Sequence, residues 1–146
     1  MALKQRNQQI ALAAELLKVH LPAVIETGDD KLARDLLCAL ANALEAAHAD
    51  VEEAAAAWEE RGNLGKAQTL RRDWAWVDYA VQYTMALSRS DNAVDNARIE
   101  RLPWLITIEL EPPARPKIAD PTALRGACQA RRAQQKPAAK RAKKSA

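Results

Sequence analysis

The sequence predicts an all-α protein: an antiparallel three- to four-helix bundle with a C-terminal extended arm and a basic, largely disordered tail. Three observations predict it. The chain has only 4 glycines in 146 residues, no phenylalanine, and much of its apolar content as alanine, a strong helix former that buries little area. Apolar residues recur at spacings of three, four and seven through the first hundred positions. Four of the seven prolines then fall within residues 111–121, where helical spacing stops. This divides the chain into a bundle over 1–103, an extended arm and proline-rich spacer over 104–120, and a basic tail over 121–146.

The first predicted helix covers residues 3–25. Leu3, Ile10, Ala14, Leu17, Leu21 and Val24 share one face, with a weaker stripe of Leu12, Leu16 and Val19. Pro22 has no N–H to donate, so the last turn should kink or restart there. Gly28 suits a left-handed helix stop, and Thr27 or Asp29 can cap the next helix. The second helix spans about 29–61. Leu32, Leu36, Leu40, Ala43, Ala47, Val51, Ala54 and Trp58 lie on one side; Lys31, Arg34, Asp35, Glu45, Glu52, Glu53 and Glu60 lie opposite. Asp50 offers a cap for a second segment should the helix break there, and Gly62-Asn63 the stop.

The third helix, about 64–89, holds LRRDWAWVDYAVQY. Leu70, Trp74, Val77, Val81 and Met85 make one stripe, and Trp76, Tyr79, Ala80, Tyr83 and Leu87 a second. A helix apolar on two sides is central or pressed between two partners. The second stripe is therefore read as packing or a protein interface. A base-stacking platform would need exposed rings lined by cations, whereas Asp73 and Asp78 flank these rings. Ser90-Asp91-Asn92 is the expected cap of a short fourth helix ending by Leu102-Pro103. Residues 104–110, rich in Trp, Ile, Leu and Thr, have strand composition and stop at Glu111-Pro112-Pro113. With no second strand to pair, they are expected to lie as an extended segment across the bundle. Asp120-Pro121 has the form of a helix cap followed by a first helical position.

Charge is divided unequally. Residues 1–110 carry 12 Lys/Arg against 17 Asp/Glu, a net of −5; residues 111–146 carry 10 against 2, a net of +8. The candidate nucleic-acid contacts are Arg125, Arg131, Arg132, Lys136, Lys140, Arg141, Lys143 and Lys144, with no acid among them. Cations that neutralise phosphates release condensed counterions, which gives affinity without sequence preference and with steep salt dependence. The competing readings are a solubilising tail and one that folds back on the acidic face of the second helix. Candidate protein-contact residues are Trp76, Tyr79 and Tyr83 on the bundle and Trp104, Ile106 and Ile108 on the arm.

No catalytic constellation is visible. Glu45 and His48, at i and i+3, are half of a di-iron bundle site, but the second half is missing: Glu15 precedes His20, the other histidine, by five residues, off the required face. Cys38 reads as lying on the polar flank of the second helix and Cys128 in the tail. The two are too few for a disulfide framework or zinc knuckle and lack a histidine partner. No glycine-rich phosphate loop, HExxH or GxSxG occurs. No cofactor, metal or small-molecule substrate is expected. The N-terminal MALKQRNQQI is too polar for a signal-peptide core, and no apolar run approaches membrane-spanning length, so a cytoplasmic, bacterial protein is the expectation. The function expected is a non-enzymatic assembly subunit that binds other subunits, or itself, through the bundle, and RNA or DNA through the tail. Its format is that of the small helical subunits of ribonucleoprotein effector complexes. The alternative is a protein-interaction module, an adaptor or inhibitor, with no nucleic-acid role.

Overall fold

The computed structural model describes residues 4–135. All regular structure within them is helical. In chain order it comprises α1 (Lys4–Glu15), a π-helical turn (Leu16–His20), α2 (Leu21–Glu26), α3 (Asp30–Glu60), α4 (Leu64–Asp73), α5 (Trp76–Ser88), α6 (Asn96–Ile99) and α7 (Leu102–Leu105). A 3-10 turn (Pro121–Leu124) and α8 (127–135) complete it.

The spine is α3. Its 31 residues extend about 46 Å at 1.5 Å per residue. Asp29 caps it by accepting the Leu32 N–H at 3.1 Å, and no break occurs at Asp50. Gly28 and Gly62 take the positive φ expected of helix stops. Helices α1, α2, α4 and α5 and the 3-10 turn all pack on α3. Leu36, Leu40, Ala43, Ala47 and Val51 are buried as the periodicity predicts. Ala33, Leu37, Cys38, Ala41 and Leu44 are buried as well. The spine is thus covered on more than one side.

The first predicted helix is continuous through Pro22, by way of the π turn. The Leu21 N–H bonds to the Leu16 carbonyl, five residues back. Widening the turn just before a proline accommodates the missing donor at the cost of one extra residue.

The third predicted helix is two helices. The chain turns at Trp74-Ala75, and Val77 N–H bonds to Trp74 O at 3.2 Å. In an unbroken helix residues two apart point roughly 200° apart. The turn lets both Trp74 and Trp76 enter the core, their ring centroids 5.5 Å apart. The buried face of α5 is Trp76, Val77, Ala80, Thr84 and Leu87, which runs between the two expected stripes. Thr84 satisfies its hydroxyl by donating to Ala80 O.

The fourth helix is also divided, into α6 and α7, and its cap is Asp95, which accepts the Arg98 N–H at 2.8 Å, not Ser90-Asp91-Asn92. Instead, the carbonyls of Ser88, Ser90 and Asn92 are gathered by the Arg34 guanidinium from α3. Asp30 holds that guanidinium at 2.7 Å and also accepts the Val94 N–H. These bonds, the one to Arg34 first, keep the Asp30 carboxyl below its ordinary range. Arg34, read from sequence as part of an exposed face, is a clasp between α3 and the end of α5.

Residues 104–110 form no strand. Trp104 and Leu105 complete α7, and residues 106–110 run over the body outside any regular element, with Ile106 and Leu110 buried and Ile108 half-buried. Side chains anchor them without a sheet: the Lys18 ammonium donates to Leu110 O. Further along, the N–H groups of Lys117 and Ile118 donate to the Glu15 carboxylate at 2.7 and 2.9 Å.

Candidate functional site

The basic segment meets α3 along a stripe. Asp35, Cys38, Asn42 and Glu45 recur at three, four and three residues and so share one side of that helix. Asp120 accepts the Thr122 N–H at 3.0 Å, and Pro121 opens the 3-10 turn, as its dipeptide predicts. Gly126 comes next at φ 91°, a backbone state that suits glycine, and turns the chain into α8. From there the pairing climbs in step with α3. Arg125 pairs with Asp29; the N–H groups of Gly126 and Cys128 donate to Asp35 at 3.0 and 3.1 Å. Cys128 is disulfide-bonded to Cys38. Arg131 donates to Asn42 at 2.8 Å and pairs with Glu45. Numbers rise together on both partners, so α8 runs parallel to α3.

This corrects two expectations. Cys38 is not on a polar flank but buried, and the two cysteines are joined, across 90 residues of sequence. Spacing cannot reveal such a bond; only the shared stripe with Asp35, Asn42 and Glu45 hints at a covered face. Disulfides persist in oxidising compartments and are reduced in a cytosol, so the bond and a cytoplasmic setting are compatible only if the bond opens there.

The eight candidate phosphate contacts divide accordingly. Arg131 is 8% exposed and engaged with its own chain. Arg125 is half exposed, its guanidinium on Asp29. That pairing raises the Arg125 pKa above its ordinary value and, followed by the Leu32 N–H bond, lowers that of Asp29. Arg132 is exposed and lines a groove with Lys31 and Arg125. Lys136, Lys140, Arg141, Lys143 and Lys144 lie outside the described residues.

The six candidate protein contacts also divide. Trp76 and Ile106 are core residues, not surface ones, because the turn at Trp74-Ala75 and the closely packed arm draw them inward. Ile108, on the arm itself, is half-buried against the core. Tyr83 is partly buried, its hydroxyl donating to Arg98 O at 2.9 Å. Tyr79, at 65%, and Trp104, at 88%, are exposed. Trp104, Tyr83, Leu105, Ala97, Arg101 and Glu100 line a groove of about 540 Å³ between α5 and α7. Tryptophan and tyrosine are enriched among the residues that dominate protein contacts, and rings lining a mainly apolar groove suit one.

The histidines are structural. His48 faces Glu52 at 3.9 Å, and Glu45 is taken by Arg131. His20 is buried with its Nε2 2.7 Å from Glu15. The π turn explains why a five-residue separation, wrong for an α-helix, brings them together: one added residue restores the facing that four residues give. Burial alone would raise the Glu15 pKa. The Lys117 N–H, His20 and the Ile118 N–H together outweigh it and hold the carboxyl below its ordinary value. Among the described residues, no group of three or more His, Cys, Asp and Glu is arranged to hold a metal ion, and no helix is long and apolar enough to cross a membrane. No protein-family model, curated protein or solved structure matches this chain.

Proposed function

We propose that the chain is a non-catalytic assembly subunit, a helical bundle with two working surfaces. The groove between α5 and α7, lined by Tyr83 and Trp104, binds another protein subunit, with the exposed Tyr79 of α5 as a further contact. The C-terminal run binds RNA or DNA through phosphate, without sequence preference. The observation that carries this reading is the segregation of charge. With Arg125 and Arg131 paired internally, Arg132, Lys136, Lys140, Arg141, Lys143 and Lys144 still supply six cations over residues 132–146, unbroken by any acid. A small helical subunit of a cytoplasmic, bacterial ribonucleoprotein effector complex is the narrower form of this proposal.

The test is a fluorescence-anisotropy titration of full-length protein against a single-stranded oligonucleotide at several salt concentrations. Six phosphate contacts predict a log–log slope of about −4 on single strands and about −5 on duplex. Changing Lys136, Lys140, Arg141, Lys143 and Lys144 to glutamine should abolish binding. Salt-independent binding, or binding that survives those substitutions, refutes the nucleic-acid half. One observation favours the alternative, a protein-interaction module with no nucleic-acid role: Trp104 is 88% exposed although its apolar neighbours Leu105, Ile106, Ile108 and Leu110 are buried or partly buried. That reading predicts no oligonucleotide binding at any salt.

A further inference from the structure

We infer that the Cys38–Cys128 bond is a redox latch on the proposed nucleic-acid surface: closed, it holds Arg125 and Arg131 against α3; reduced, it releases both to bind phosphate. The inference rests on the proposed phosphate-binding role for what the latch regulates, but the latch itself stands on the geometry of residues 120–135.

The segment is poorly anchored apart from the bond. Leu124 is its only large aliphatic residue, and it is only partly buried. Arg125 and Asp29 are 50% and 34% exposed at the side chain, and Glu45, the partner of Arg131, is 49% exposed. Ion pairs with members this open to water are weak and screened by salt. The remaining ties are the two N–H bonds to Asp35 and the bond from the buried Arg131 to Asn42. Against such ties a polyphosphate, offering many acceptors to each guanidinium, competes well. The Cys38–Cys128 bond fixes the middle of the stripe, between Asp35 and Asn42, and so keeps every one of those pairs at high effective concentration. The Arg131 Nε–H, buried without an acceptor, is a further polar group that opening would satisfy.

The chemistry is thiol–disulfide exchange with a dithiol reductant. A reductant thiolate attacks Cys128 Sγ, the more accessible sulfur because Cys38 is 1% exposed. Cys38 leaves as a thiolate and takes a proton. The second reductant thiol, as thiolate, then displaces Cys128, which is protonated in turn. Two electrons and two protons pass to the protein, and the reductant becomes a disulfide.

The experiment compares oxidised full-length protein, the same protein under a dithiol reductant, and Cys128→Ser without reductant. Circular dichroism verifies that each retains its helix content. Two readouts are taken. Limited trypsinolysis reports access to Arg125, Arg131 and Arg132 independently of nucleic acid; cleavage after these residues should be at least tenfold faster in the reduced protein and in the variant. The salt slope on a single-stranded oligonucleotide should steepen from about −4 to nearly −6, as eight cations replace six. Equal cleavage rates with equal slopes overturn the latch, as does finding both thiols free in the untreated protein, or loss of the helical body on reduction. Faster cleavage with no oligonucleotide binding in any state upholds the opening and refutes the proposed function instead.

Discussion

Changing Glu15 to glutamine tests how the arm is held. The carboxylate accepts two backbone N–H groups, from Lys117 at 2.7 Å and Ile118 at 2.9 Å, and faces His20 at 2.7 Å. Glutamine has nearly the same shape but keeps one acceptor oxygen and turns an N–H₂ toward a neighbouring donor. Hydrogen bonds to a charged acceptor contribute about 1.5–3 kcal/mol each, so losing one and weakening another should cost about 2–4 kcal/mol at pH 7. Urea denaturation followed by circular dichroism measures it. The pH dependence is the sharper part. The Glu15 pKa lies below 4.5 in the folded chain, so the carboxylate stabilises the fold fully above its unfolded value, and that contribution fades as pH falls through the folded one. Asp29, Asp30 and Asp120 shift in the same direction but are present in both proteins and cancel in the difference. The gap between wild type and Glu15→Gln should therefore be widest near pH 7 and narrow on acidification below pH 4.5. Trypsin should also cut more readily after Lys117. A gap below about 0.5 kcal/mol, or one unchanged between pH 7 and pH 3, refutes the account.

Arg34→Ala should release the carbonyls of Ser88, Ser90 and Asn92 together and destabilise the chain by about 2 kcal/mol. Hydrogen exchange should quicken at Val94, whose N–H is held by the Asp30 that Arg34 positions. Trp104→Ala, at an 88% exposed residue, should alter stability by less than about 0.5 kcal/mol in thermal denaturation. A larger loss would mean that the ring packs on its own chain and is not a spare surface for a partner.

Most of the helical architecture is legible in the residues, for identifiable reasons. The leucine and alanine spacing of α3, with Asp29 before it and Gly62 after, states its length almost to the residue. Periodicity fails where the helical period itself changes. The π turn at 16–20 re-phases His20 onto Glu15, and the turn at Trp74-Ala75 redirects Trp76 inward. Neither departure has a sequence signature stronger than Pro22. The stripe on α3 is half legible. Spacing puts Asp35 and Glu45 on the polar side, but the number of acids there exceeds what solvation needs only when the cations of 125–131 are laid beside them. Residue type places the exposed Tyr79 and Trp104 among contact candidates, yet the same reasoning includes Trp76 and Ile106. Composition says that a ring wants a partner; it does not say whether that partner is its own chain.

Because α3 is the common neighbour, helices α1 and α5 each lean on it, and neither is the other's main support. Substitutions on the outward sides of these two helices, away from α3 and from the arm, should combine additively, since they are not in direct contact. Either flank can then be remodelled for a new binding task while the opposite one keeps its shape, with the long middle helix alone setting the limit on change.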